Sequence, residues 1–323
     1  MLRSICLATF LGLSSCPLRA IVIASGDPNS ASVVVGYNQV VDGVNLSGVV
    51  LLGTGCSGSL LSDDYSILTA GHCVTSSYGS SVPSSITVNF LGPSGFVPYT
   101  ATTYFVNPGW KGDPTAGTDL AIVRLNQAAP SFATGYSLFT GIATTSPILL
   151  AGYGWGGTGT TGGDGGTYPF GTLRQGENAY EGTGATPSFG LGWSANLLVG
   201  QFYESGVSST NALGVASPYS ASDEVDISHG DSGGPSFYNG LLIGVHDLIS
   251  CYSPSEGAPC NEPPSVSTID NSYFGQMFAD TSASAYASWI ESDEVPEPAS
   301  CSLVLLGLAA AGFFRSRTSR RLS

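Results

Sequence analysis

Short apolar runs separated by turn-forming residues constrain this chain more than any other feature. Val33-Val34-Val35, Val49-Val50-Leu51-Leu52, Ser66-Ile67-Leu68, Ile86-Thr87-Val88, Ala121-Ile122-Val123 and Ile148-Leu149-Leu150 are punctuated by Gly, Pro, Ser and Asn. Runs of this length suit strands, and long amphipathic helical patterns are few. The 44 glycines among 323 residues mark frequent turns. The pattern predicts an all-β sandwich or barrel, with enough chain for one large or two small domains.

The formal net charge of −14 understates the acidity of the central body, because Arg3, Arg19, Arg315, Arg317, Arg320 and Arg321 sit near the two ends. Between residues 21 and 296 only Lys111, Arg124 and Arg174 stand against 22 acidic residues, so the body carries about −19. Phosphate binding depends on Lys and Arg, which excludes nucleic acid and anionic lipid as expected partners of the body.

Both ends read as addresses. Residues 1–20 combine a positive start, an apolar run from Ile5 to Leu13 and a small-residue cut at Leu18-Arg19-Ala20. This pattern predicts a signal peptide for signal peptidase, the run being too short to span a membrane. The "LSSC" at 13–16 also fits a lipoprotein acylation box, and Pro17 after the cysteine favours ordinary cleavage. Residues 293–323 contain Val295-Pro296-Glu297-Pro298, an apolar stretch from Ala299 to Phe314 and an arginine cluster. This order resembles the bacterial PEP-CTERM sorting tail, in which the three parts are recognised by an exosortase. The resemblance implies transient inner-membrane anchoring through residues 299–314. Tail processing would follow, with delivery to the surface or extracellular matrix of a Gram-negative-type bacterium. A plain C-terminal anchor with cytoplasmic arginines is the other reading of the same residues.

With Cys6, Cys16 and Cys301 in or beside these end segments, Cys56, Cys73, Cys251 and Cys260 remain in the body. An even count in an exported chain suggests two disulfides; three pairings exist, of which the local ones, Cys56–Cys73 and Cys251–Cys260, are preferred.

"SHGDSGGPSF", residues 228–237, places Ser232 among glycines on a tight turn. A serine hydroxyl needs a base to become a nucleophile. Of the three histidines, His72 in "SILTAGHC" ends a β-rich run. Metal binding there lacks support, because no second histidine lies at ligand spacing, and no cofactor is implied. Asp119 in "GTDLAIVRL" leads into an apolar run and is the carboxylate available to orient an imidazole. Gly230-Asp231-Ser232-Gly233-Gly234 also fits the G-x-S-x-G elbow of α/β-hydrolases, but that fold needs its histidine after the serine. Only His246 follows, with no room for an acid segment between.

Together, "GCSGSLLSDDYSILTAGHC", "TDLAIVRL" and "GDSGGP" occur in the order His, Asp, Ser, separated by 47 and 113 residues. This order closely resembles the trypsin-like, chymotrypsin-fold serine proteases over most of residues 34–292, including the Cys56–Cys73 bridge and the "SAYASWI" helix. The resemblance implies two six-stranded antiparallel β-barrels with a short C-terminal helix, a protease domain over 21–292, and protein or peptide substrates. It assigns Ser232 as nucleophile, His72 as base and Asp119 as its orienter, with Gly230 and Ser232 N–H groups as the oxyanion hole. Asp231 would pair with a newly made α-amino group, for which Ile21-Val22 and Val34-Val35-Gly36-Tyr37 are the two apolar starts. Asp226 stands where trypsin-type enzymes carry the acid that binds Arg or Lys. Ser228, Ile227 and Asp247 depart from the residues the family has around that pocket, and His246-Asp247 reads as a local surface pair instead. The insert at 152–178 opens like the family's Gly-Trp-Gly turn and continues as a glycine-rich rim loop. The expected function is an exported serine endopeptidase; the alternative is a catalytically silent protease-like binding module displayed at the cell surface.

Overall fold

The computed structural model describes residues 21–75, 81–204, 206–215, 224–250 and 272–293. Three short strands come first: β1 (Ile21–Ile23), β2 (Val40–Val41) and β3 (Val44–Asn45). The next six are β4 (Val49–Leu52), β5 (Ser57–Leu60), β6 (Ser66–Thr69), β7 (Ile86–Gly92), β8 (Gly95–Val106) and β9 (Ala121–Leu125). They close into a barrel in the order β4-β5-β6-β9-β8-β7. Four of the apolar runs form β4, β6, β7 and β9, where Ile67, Leu68, Val88, Phe90, Ile122 and Val123 are buried, together with Leu60 of β5. Each such side chain contributes about 1.5–3 kcal/mol by leaving water.

The run Val33–Val35 behaves differently. Val33 and Val34 N–H groups both donate to Ser30 O, closing a turn, and Val34 makes only an isolated bridge to Arg174.

The second half contains β10 (Pro147–Gly152), β11 (Gly156–Thr158), β12 (Gly162–Gly163), β13 (Arg174–Ala179), β14 (Gly182–Thr183) and β15 (Leu197–Phe202). It continues through β16 (Val225–Asp226), β17 (Pro235–Tyr238), β18 (Leu241–Ser250) and β19 (Gln276–Ser282) to helix α1 (Ala287–Asp293). Seven of these strands form an antiparallel sheet, β13-β10-β17-β18-β19-β15-β14, curled into a half-barrel. A four-stranded sheet, β12-β11-β1-β16, carries the N-terminal residues, with β1 parallel to β11 and antiparallel to β16.

Apolar packing is continuous between the halves: Leu149, Ala151, Tyr153, Phe237 and Val245 join the core of the first barrel. Helix α1 adds Trp289 and Ile290 to that core, and Arg124 of β9 donates to the carbonyl of Asp293. Cys56 and Cys73, 17 residues apart, are joined by a disulfide with an S–S distance of 2.07 Å. The expected Cys251–Cys260 pair, the leader and the sorting tail lie outside the described residues.

Candidate active site

Register in the first barrel brings His72 and Asp119 together. Thr69 at the end of β6 pairs with Ala121 at the start of β9, so the residues just beyond each strand, 47 positions apart, are neighbours. After β6 the chain turns through a 3₁₀ segment, Gly71–Cys73. The His72 backbone N–H donates to Asp119 Oδ1 at 2.8 Å, and His72 Nδ1 lies 2.5 Å from Asp119 Oδ2. Asp119 is fully buried, whereas the His72 side chain is 35% exposed. A carboxylate held out of water and gripping both donors fixes the ring orientation and leaves Nε2 toward solvent. Gly71 permits this approach, because a Cβ there would sit 2.9 Å from Asp119 Oδ1 and 3.0 Å from Trp110. Trp110 packs beside the imidazole, anchored by an indole N–H bond to Thr75 Oγ1 of 3.1 Å.

Ser232 is carried to the same place by the turn between β16 and β17. Its carbonyl accepts the Ser57 N–H at 2.9 Å and touches the Cys73 sulfur at 3.5 Å, a contact rather than a hydrogen bond because that sulfur is in the disulfide. The Ser232 turn is therefore docked on the residue adjacent to His72. The Ser57 hydroxyl links the halves: it donates to Gly230 O and accepts from Tyr153 N, each at 2.9 Å. Among the described residues the Gly230 and Ser232 N–H groups have no hydrogen-bond acceptor. Gly233, at φ +79°, packs so tightly that a Cβ would meet Thr69 Oγ1 at 2.0 Å.

Asp231 is the internal anchor of this turn. It accepts Gly154 N–H and Ser228 N–H, both at 2.8 Å, and lies 3.2 Å from Ser228 Oγ. Burial pushes its carboxyl above the usual range, while the Gly154 N–H, the nearby His246 and the Ser228 donors oppose that shift. Ser228 Oγ also donates to the Trp155 carbonyl, tying the turn to the start of the glycine-rich insert. That insert contributes β11, β12 and all of β13 but its last residue.

Asp226 lies in β16 opposite Val22 and is fully buried. Burial holds its carboxyl well above the usual range, partly offset by the Ile227 N–H. Ile227 belongs to an apolar cluster with Tyr180, Val225 and Phe278.

The expectation of a surface pair at His246-Asp247 is corrected. His246 is 0% exposed and Asp247 6%. His246 Nδ1 is 3.0 Å from Asp280 Oδ1, and Tyr180 and Ser236 hydroxyls both donate to Asp280 Oδ2 at 2.5 Å. Two polar residues inside an apolar strand looked superficial in sequence because their burial partners come from β17, β19 and Tyr180 just after β13. Asp247 turns toward the other half, where His72, Asp119 and Asp247 offer one ligand atom each, all within 4.8 Å. The His72–Asp119 contact of 2.5 Å is a direct hydrogen bond, which leaves no space for an ion between those two atoms. Ser57, Thr69 and Gly154 support the site without having been singled out, since hydroxyls and glycines carry no distinctive spacing in this chain.

A closed six-stranded barrel and a curled β half, joined across an imidazole, a buried carboxylate and a glycine-flanked serine, define a chymotrypsin-type architecture. Residues 33–187 match the family model for trypsin, and residues 294–321 match the PEP-CTERM protein-sorting motif. These two matches support a trypsin-like serine protease with a PEP-CTERM tail. The sorting motif implies export, exosortase-type processing and a cell-surface or extracellular destination in bacteria. No curated protein matches the chain.

Proposed function

We propose that this chain is an exported serine endopeptidase acting through His72, Asp119 and Ser232. The observation that carries this proposal is the double grip of Asp119 on His72, at 2.8 and 2.5 Å, beside the docked turn of Ser232. Ser232 Oγ attacks the scissile carbonyl carbon as its proton passes to His72 Nε2, and Asp119 stabilises the imidazolium formed. The developing oxyanion accepts from the Gly230 and Ser232 N–H groups, each such donor being worth about 3 kcal/mol. Collapse breaks the C–N bond, His72 protonates the leaving amine, and a water deprotonated by His72 then releases the acyl group from Ser232. Asp226 is the residue on which a preference for Arg or Lys rests, and its full burial means that such a side chain has to reach a desolvated acid. Tail cleavage near Pro296-Glu297-Pro298 would release the domain from a Gram-negative-type inner membrane.

Treating the mature protein with a fluorophosphonate should label the peptide containing Ser232. Ser232→Ala and His72→Ala should each lower the peptidase rate by roughly 10⁶-fold with the circular dichroism unchanged. A folded protein that binds peptides yet neither labels nor cleaves them is the silent binding module.

A further inference from the structure

Asp247 is the extra residue of a bulge in β18. His246 opposes Asp280 and Leu248 opposes Ala279, so no residue of β19 pairs with Asp247. Bulges of this kind interrupt strand alternation and re-aim a side chain, and they recur beside active sites. Here the carboxyl is brought within 4.8 Å of both Asp119 and the His72 ring nitrogen. Asp247 Oδ2 accepts the Thr281 hydroxyl at 2.8 Å, whereas Oδ1 is buried and receives no donor. An ionised carboxylate can only accept, so two of them facing each other out of water repel and leave lone pairs unmatched. One proton resolves both problems. Asp119 already receives two donors from His72 and is the better anion, which leaves the proton to Asp247.

We propose that Asp247 is a protonated carboxylic acid whose O–H donates to Asp119, making it a positioning residue for the His72–Asp119 pair. This inference rests on the triad proposed above. Burial and the adjacent Asp119 hold the Asp247 carboxyl well above the usual range. The titratable groups facing it are Asp119 from the segment before β9, His72 from the 3₁₀ turn and Asp280 from β19. Asp280 is satisfied by His246, Tyr180 and Ser236, so it does not compete for the proton. Asp247 keeps its proton throughout the cycle; its role is to hold Asp119 in place while His72 gains and loses charge.

The test compares Asp247→Asn, Asp247→Ser and Asp247→Ala in the mature protein, reading kcat, KM, the acid limb of kcat/KM and the His72 ring titration by NMR. Asn keeps a neutral donor, so kcat should fall only about threefold and both pH readouts should stay where wild type has them. Ala should lower kcat roughly tenfold to a hundredfold at nearly constant KM, and Ser should recover most of that loss. Had Asp247 been ionised, Asn would remove a negative charge beside His72 and both pH readouts would drop by about one unit or more, overturning the proposal. Equal kcat for Ala, Ser and Asn would overturn it too. The His72 titration requires no turnover, so it reports the proton's place even if Ser232→Ala were to retain activity and sink the triad itself.

Discussion

At Gly233 two independent constraints coincide. Its φ is +79°, and a Cβ would lie 2.0 Å from Thr69 Oγ1 and 2.5 Å from Ser57 O. Alanine there costs about 1–2 kcal/mol for the left-handed backbone and about 1–3 kcal/mol for overpacking. The clash also displaces the neighbouring Ser232. Gly240, in the hairpin turn between β17 and β18, has φ +81° but nothing within 4 Å of its Cβ position, so Gly240→Ala bears only the backbone cost. Thermal melts should therefore place Gly233→Ala well below Gly240→Ala, and only the former should lose fluorophosphonate labelling. Equal melting temperatures would mean that the turn yields without strain. The meeting of His72 with Asp119, and of the Ser232 turn with Cys73 beside them, could be anticipated in sequence because each lies in a short contiguous motif. Asp247 was not, since a one-residue bulge reverses which face of β18 a side chain occupies and leaves no mark in composition.

Strand β1 favours Ile21 over Val34 among the two apolar starts expected for the mature chain. Ile21 and Val22 are fully buried, and β1 is held between β11 and β16, with Val22 opposite Asp226. Ile21 is also at φ +66°, a backbone conformation costly for a β-branched residue that is preceded by another residue. Cutting the Ala20–Ile21 bond removes that constraint and leaves the rest of β1 in place. Cutting before Val34 would instead delete β1, strip the cover from Asp226 and dismantle the smaller sheet. N-terminal sequencing of the active protein should thus read Ile-Val-Ile-Ala. A start at Val34 with full activity would show that β1 is dispensable. The barrel strands with apolar runs were apparent from sequence, but β8 was not: its twelve residues, GFVPYTATTYFV, are mostly polar or partly exposed, and only pairing with β7 and β9 makes them a strand. For β1 the legible part was an apolar start, while its insertion depends on partners more than 130 residues away.

Across the molecule, acidity acts at two depths. On the surface, the exposed part of a formal body charge of about −19 repels itself at neutral pH. Inside, Asp226, Asp231, Asp247 and Glu181 all have carboxyls raised above their ordinary values of 3.8 and 4.5, with burial the largest cause in each case. A carboxyl raised on folding contributes stability that is fully present below its unfolded value and is lost as pH rises through its folded value. Both effects carry the same sign, so stability should decline as pH rises from about 5 to 8, opposite to a protein held by ionised, salt-bridged acids. Salt separates the two contributions: screening weakens surface repulsion at a Debye length of about 3 Å in 1 M salt but barely reaches groups out of water. Urea midpoints should be higher at pH 5 than at pH 8 in dilute buffer, and part of that gap should persist in 1 M salt because of the buried carboxyls. If high salt erased the gap, the buried acids would contribute nothing to it. A midpoint rising from pH 5 to pH 8 would mean that these carboxyls are stabilised as anions, and Asp247 could then not hold its proton.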